Sequence, residues 1–281
     1  MDPFLVAEFF ITAFLAGILG ALLGIGGGII IVPVLSLFFH VPIHLAIGAS
    51  IVAVVATSSA SATVYVKEGF SNIRLGMFLE IFTSAGALVG AIAVFHISGN
   101  ILSILFSVLL LIAARSMHSS AKSGKVFDLA MHNDRMAERL RLNGGYIDPF
   151  SSAKVEYFVE KTPQMAGVSL VAGVASGLLG VGGGFIIVPA MVDLGKIPMK
   201  AASATSNFMI GVTAGTSAII LFTAGFVDPT LTAPIALGTL FGAFVGSRLM
   251  GKLPSRHLKE AFAVLLLFVS LQLFLKALNV Y

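Results

Sequence analysis

Shifted by 156 residues, the chain lies over itself without a gap. Residues 16–33 read AGILGALLGIGGGIIIVP and residues 172–189 read AGVASGLLGVGGGFIIVP, with twelve of the eighteen positions identical. The match continues through Pro42 and Pro198, Ser50 and Ser206, Thr57 and Thr213, Ser61 and Ser217, Gly86 and Gly242, and Gly90 and Gly246. An ungapped match over roughly 100 residues marks two copies of one structural unit. Whatever this chain folds into, it is built twice.

Each copy is made of long apolar runs. Among the 281 residues 57% are hydrophobic, only 11% are charged, and the mean hydropathy is +1.02. A soluble domain carries about 25% charge, so this chain lacks the polar groups to coat a water-facing surface. Soluble enzymes, nucleic-acid binders and disordered chains are thereby excluded. A helix needs about 20 residues to cross the hydrocarbon, and the runs at 43–66, 73–95, 201–226 and 231–250 fit one crossing each. Ile101–Ala114 and Ala261–Leu275 are short and need their flanks or a thin membrane. The first run and the one from Met165 to Leu194 are long and carry glycine clusters inside. With no cysteine, disulfides, thiolate metal sites and cysteine nucleophiles are ruled out. No basic region precedes the first apolar run, so no cleavable signal is expected.

A charged insert, residues 115–163, separates repeat 1 (1–114) from repeat 2 (164–281). It holds eight Lys/Arg and six Asp/Glu. The spacing predicts a helix over Val126–Leu142, a stop at Asn143-Gly144-Gly145, and a small hairpin over Tyr146–Val159 around Asp148-Pro149. Its role stays open between a solvated linker on the membrane face and a regulatory or docking element.

Equivalent loops carry opposite charge. The 67–74 loop has Lys67 and Arg74, whereas 223–230 has neither Lys nor Arg. The 92–103 loop has none, whereas 248–259 has Arg248, Lys252, Arg256 and Lys259; the 40–44 turn has none, whereas its partner has Lys196 and Lys200. Basic residues collect in cytoplasmic loops, so the repeats should be inverted, with 67–74, 115–163, 196–200 and 248–259 in the cytoplasm. Inversion needs an odd number of crossings per repeat. Three runs supply three crossings, so the first run of each repeat must begin and end on the same side, as a re-entrant or broken-helix hairpin turning at its glycines. The expected fold is an all-α polytopic membrane protein: two inverted-topology repeats with glycine-broken or re-entrant helices, about eight long apolar segments in all. Inverted repeats with broken helices belong to secondary transporters, with the site near the midplane.

The doubled motif LLGxGGGxxxVP, at Gly24-Ile25-Gly26-Gly27-Gly28 with Pro33 and again at Gly180-Val181-Gly182-Gly183-Gly184 with Pro189, resembles the TauE/SafE family, and the resemblance covers both repeats. It implies a permease of the cytoplasmic membrane carrying a small inorganic or organic sulfur anion, such as sulfite or a sulfonate. An anion channel and a membrane sensor using the 115–163 insert are the alternatives.

Candidate residues follow from chemistry. Gly26, Gly27, Gly28 and Gly182, Gly183, Gly184 let backbone N–H groups approach an anion at a half-helix N-terminus; close helix packing is the other reading. Ser50, Thr57 and Ser61 share one helical face, as do Ser206, Thr213 and Ser217. With Asn207, the hydroxyls of Ser50, Ser206, Thr57 and Thr213 are candidate substrate donors, against a role in helix–helix hydrogen bonding. Glu80 is a candidate proton carrier or a structural carboxylate. No HExxH or other metal-ligand cluster is present, and no catalytic residue, cofactor or nucleic-acid partner is expected. The lipid bilayer is the expected surroundings, and a homo-oligomer such as a dimer is a further expectation.

Overall fold

The computed structural model describes residues 3–122, 134–147, 153–250 and 255–277. Repeat 1 contains α1 (Pro3–Leu23), α2 (Gly28–Leu37), α3 (Ile43–Lys67), α4 (Ile73–Ala93) and α5 (Gly99–Lys122). The insert contributes α6 (Arg135–Arg139), β1 (Gly144–Ile147) and β2 (Lys154–Tyr157), and repeat 2 contains α7 (Thr162–Leu179), α8 (Gly184–Asp193), α9 (Met199–Thr223), α10 (Pro229–Leu249) and α11 (Ser255–Ala277). Among the described residues six helices are long and apolar enough to cross a membrane: α1, α3, α4 (continued to His96), α7, α9 and α10. The two short apolar runs lie within longer helices, α5 and α11, of 24 and 23 residues.

The first run of each repeat is a hairpin. The Phe9 and Phe39 rings stand 4.7 Å apart, so α2 returns to the side from which α1 enters. At the other end Gly195 lies against the Met165 side chain, so α8 likewise returns to the start of α7. Ten residues span about 15 Å at 1.5 Å each, so α2 and α8 reach only to mid-depth.

Three crossings follow each hairpin and fix the inversion. One face holds the ends of α2 and α11, where the Lys276 ammonium reaches the Ser36 carbonyl, and the aromatic cluster of His44, Phe95 and Phe226. The other, the insert face, joins the starts of α4 and α9: the Asn72 N–H donates to Thr205 Oγ1 (2.9 Å) and the Ser71 hydroxyl to the Ala204 carbonyl (3.1 Å). The α1–α2 hairpin therefore enters from one side and the α7–α8 hairpin from the other.

The repeats exchange their packing. The first helix of each lies along the fourth membrane helix of the other, α1 on α10 and α7 on α4. Gly17 on α1 abuts the Thr239 carbonyl, and its equivalent Gly173 on α7 abuts the Thr83 carbonyl. Glycine lets backbones approach where no hydrophobic force separates helix from lipid. Pro42 and Pro198 precede the first residues of α3 and α9, as expected from their fixed φ.

The insert packs on the membrane unit. Leu142, Tyr146, Tyr157 and Val159 are buried in one cluster with Tyr65, Phe70 and Leu75, and Asn72 donates through Nδ2 to the Leu142 carbonyl at 2.7 Å. A hairpin forms, but its first strand starts at Gly144, inside the expected helix stop, and its second ends at Tyr157, with Gly144 opposite Tyr157 and Ile147 opposite Lys154; Asp148 and Pro149 lie outside the described residues. Of the helix expected over Val126–Leu142, residues 126–133 also lie outside them, and α6 ends at Arg139, before the glycines. The chain leaves the helix early because Arg141 turns left-handed (φ 53) and the next residues are held elsewhere: Leu142 by Asn72, and Asn143 by the Val159 N–H, which it accepts at 2.9 Å.

Glu68 and Ala224 are exposed repeat equivalents at the ends of α3 and α9. Single cysteines there should react with an impermeant thiol reagent from opposite sides of sealed vesicles; labelling from the same side would refute the inversion. Asp134 caps α6 through Oδ1 and accepts the Thr162 N–H at 2.7 Å through Oδ2, tying the insert to α7. Partial burial opposes its ionisation, but the N–H groups of Thr162, Ala137 and Met136 outweigh it and hold the carboxyl below the usual range. A depressed folded-state pKa gives stability that is present above the unfolded value and lost as pH falls through the folded one. Acidification below the carboxylate range should therefore loosen the insert, read as faster proteolysis within it. Asp134→Ala should show the looser state already at neutral pH, with about 0.5–2 kcal/mol of local stability lost.

Candidate functional site

The two glycine turns meet at the centre of the molecule. Gly26 and Gly27 take φ 85 and 74, and Gly182 and Gly183 take 76 and 75, the left-handed region that glycine enters without a Cβ clash. Each turn ends one helix and starts another running back, with Gly27 and Gly183 at the N-caps of α2 and α8. Between the tips lie Val54 of α3 and Ile210 of α9, themselves repeat equivalents; a Cβ on Gly26 or on Gly182 would run into both.

The turns are held by a reciprocal pair of hydrogen bonds. The Ser50 hydroxyl donates to the Gly180 carbonyl at 2.7 Å, and the Ser206 hydroxyl donates to the Gly24 carbonyl at 2.7 Å. Ser50 and Ser206 are equivalent, as are Gly180 and Gly24, so one contact is made twice about a pseudo-twofold axis. The same two carbonyls stand against the first residues of the half-helices. A Cβ on Gly28 would lie 2.5 Å from Gly180 O, and one on Gly184 would overlap Gly24 O. The positive end of each half-helix is thus covered by a carbonyl of the opposite repeat. Gly26, Gly27, Gly28, Gly182, Gly183 and Gly184 are all buried, and Ser50 and Ser206 are 0% exposed.

The remaining candidates divide. Asn207 joins the centre: its Nδ2 donates to the Ala21 carbonyl (2.9 Å), just before the first turn, while its Oδ1 is buried without a hydrogen-bond partner. The Ser58 hydroxyl donates to the Asn207 backbone carbonyl. Thr57 lies beside Gly27 but donates to Ala53 O of its own helix (2.9 Å), and Ser61 donates to Thr57 O (2.8 Å). Thr213 turns away from the glycines to Glu80, donating to Oε1 at 2.9 Å. Along the shared polar face only the first member in each repeat bonds to a turn, while Thr57, Ser61 and Ser217 donate to carbonyls four residues back in their own helices.

Glu80 is buried, 8% exposed, between α4 and α9. The Ser84 hydroxyl also donates to its Oε1 (2.6 Å), and its Oε2 has no partner. Sequence reasoning passed over Ser84, although it lies four residues after Glu80 on the same face. It also passed over Ser203 and Tyr65, whose hydroxyls reach Leu23 O (3.3 Å) and Ala21 O (3.0 Å). Among the described residues no group of three or more His, Cys, Asp or Glu could hold a metal ion.

Residues 9–273 match the family model described as Sulfite exporter TauE/SafE. Probable membrane transporter protein YunE of Bacillus subtilis is 26% identical over 272 residues, covering 94% of this chain and 95% of that protein. A probable membrane transporter protein of Haemophilus influenzae is 28% identical over 284 residues, covering 93% and 95%. One from Methanocaldococcus jannaschii, MJ0441, is 28% identical over 267 residues, covering 89% and 88%. No solved structure matches the chain.

Gly27→Val and Gly183→Val should each abolish flux while the protein still inserts in the membrane. A β-branched residue held at φ near 75 costs about 1–2 kcal/mol or more, and its Cβ meets the Ala16 or Ala172 carbonyl at 3.1 and 2.9 Å. Unchanged kinetics in both variants would remove the turns from the site.

Proposed function

Because the chain belongs to the TauE/SafE sulfite exporter family and is a multi-pass membrane transporter, we propose that it is a secondary transporter of a small sulfur-containing anion, sulfite or an organosulfonate, working by alternating access between its two inverted repeats. The observation that carries this reading is the reciprocal contact of the glycine turns. Two half-helix N-termini meet at mid-depth, and each is covered by a carbonyl oxygen of the other repeat. An oxyanion presents the same kind of acceptor with a full charge. If the turns part, the anion takes the place of the Gly24 and Gly180 carbonyls at the N–H groups of Gly27, Gly28, Gly183 and Gly184, and Ser50 and Ser206 turn their hydroxyls from backbone to substrate. Asn207 and the hydroxyl of Thr57 complete the donor set on the insert side. Thr213 donates to Glu80 and stands apart from this donor set.

The magnitudes suit a carrier. A helix end contributes roughly 0.3–2 kcal/mol toward an anion, and a hydrogen bond to a charged group about 1.5–3 kcal/mol. Against these stand the hydrogen bonds lost when the turns part, so net affinity is modest and release is possible. The membrane is read as the cytoplasmic one with the insert, 115–163, inside and the membrane repeats at 1–114 and 164–281; a dimer belongs to the same reading.

Purified protein in liposomes, screened with sulfite, sulfate, thiosulfate, sulfoacetate and taurine, tests the function. Uptake should saturate and show counterflow, chloride should compete poorly because it offers no oxygen acceptors, and Asn207→Ala should weaken apparent affinity about tenfold, equivalent to about 1.4 kcal/mol. Ohmic current would favour a channel. Chloride competing as well as sulfite would refute the donor-cage model.

A further inference from the structure

Glu80 stands where the repeats meet, and the site above does not use it as a ligand. It lies eight residues beyond Asn72, about 12 Å along α4 at 1.5 Å per residue. Its Oε1 accepts from Ser84 on its own helix and from Thr213 on α9, and its Oε2 is sealed from water with no partner. The elements packed along α4 beside Glu80 are α7, α9 and the short turn Val94–His96, while the insert meets α4 at its start, around Asn72 and Leu75. From Thr162 to Leu179, α7 has no titratable residue. The only one on α9 is Lys200 in its first turn, thirteen residues and about 20 Å before Thr213. His96 lies at the far end of α4, and Arg74 is exposed at its start. Among the described residues no cation faces the carboxyl.

A carboxylate with one oxygen dry and no counter-charge is strongly disfavoured. A neutral carboxylic acid is not. α4, α7 and α9 carry no second carboxylate, and a lone carboxyl with hydroxyl donors on one oxygen and the other oxygen bare suits a single proton. We propose that Glu80 is the proton-binding site that couples transport, and that α4 can close on α9 only when it is protonated. The proposal rests on the anion-transport reading. With the α4–α9 seam open to water on one side, the carboxylate takes one proton from water and an O–H bond forms on Oε2. The seam closes over the neutral acid. When it opens to the other side, that bond breaks and the proton returns to water, one per anion carried. The site occurs once per chain, since the repeat equivalent of Glu80 is Ala236.

The test uses liposomes with the membrane potential clamped, a pH dye inside, and the anion of the screen with the largest flux whose charge is constant near neutrality. Wild type should accumulate it about tenfold per unit of imposed pH gradient, a factor of ten in proton activity, with proton entry. Glu80→Gln, which mimics the neutral acid, should hold counterflow within about twofold of wild type, lose proton movement, and lower the accumulation ratio to about one. Thr213→Val removes a donor that favours the charged form, so the pH of half-maximal drive should move up. Proton-driven accumulation in Glu80→Gln overturns the proposal, and so does loss of counterflow in a folded, monodisperse Glu80→Gln. If that variant cannot be purified folded, the Thr213→Val profile decides, an unmoved midpoint counting against the proton site. Wild type without counterflow sinks the anion-transport reading itself. Counterflow without proton movement leaves that reading intact and sinks only this one.

Discussion

A chain that breaks its helix at membrane depth must still satisfy its backbone, because no water is at hand to do so. Each repeat here breaks its first run at a glycine turn and leaves a carbonyl, Gly24 or Gly180, facing the interior. The donor for that carbonyl comes from the other repeat: Ser206 for Gly24 and Ser50 for Gly180. Neither repeat can bury its own turn alone. The same dependence runs outward into the packing, where α1 needs α10 and α7 needs α4 for the close approach that Gly17 and Gly173 permit. Inversion is what makes this mutual. Turns entering from opposite faces meet tip to tip, so each supplies the other's missing partner.

That bond pair also limits how firmly the closed arrangement is held. A neutral hydrogen bond nets about 0.5–1.5 kcal/mol when the alternative is another partner such as water. The glycines bring no side chains of their own to the contact, which rests on the Ser50 and Ser206 hydroxyls and on Val54 and Ile210. Val54 and Ile210 add apolar contact at the axis without adding specificity.

The duplication, the inverted topology and the hairpins could be read from the sequence because each rests on a strong, local signal. The ungapped 156-residue shift gives the copies, the loops around Lys67 and Lys196 give the orientation, and Gly26–Gly28 and Gly182–Gly184 give the turns. The partners of the polar side chains could not be read in this way. Thr57 and Thr213 have the spacing of Ser50 and Ser206, yet Thr57 bonds to Ala53 and Thr213 to Glu80. Which acceptor a hydroxyl finds depends on helix rotation and depth across a contact between repeats. Periodicity within one helix does not encode that. The insert shows the same limit. Its hairpin was legible from local pattern, but α6 stops short of Gly144 because Asn72, seventy residues earlier, holds the Leu142 carbonyl.

The two halves are copies in backbone but not in polarity. Toward the insert face lie Ser58, Tyr65, Glu80, Ser203, Thr205 and Asn207; their equivalents toward the opposite face are Ala214, Leu221, Ala236, Ile47, Ala49 and Ile51. A perfectly symmetric pair of repeats would give inward-open and outward-open states of equal energy. Here the two seams close by different forces. On the far side, closure buries apolar side chains, worth about 25 cal/mol per Å² removed from water. On the insert side, closure trades hydrogen bonds to water for hydrogen bonds within protein, which nets little. The docked insert, with Leu142, Tyr146, Tyr157 and Val159 packed over the starts of α4 and α9, covers the more polar of the two halves.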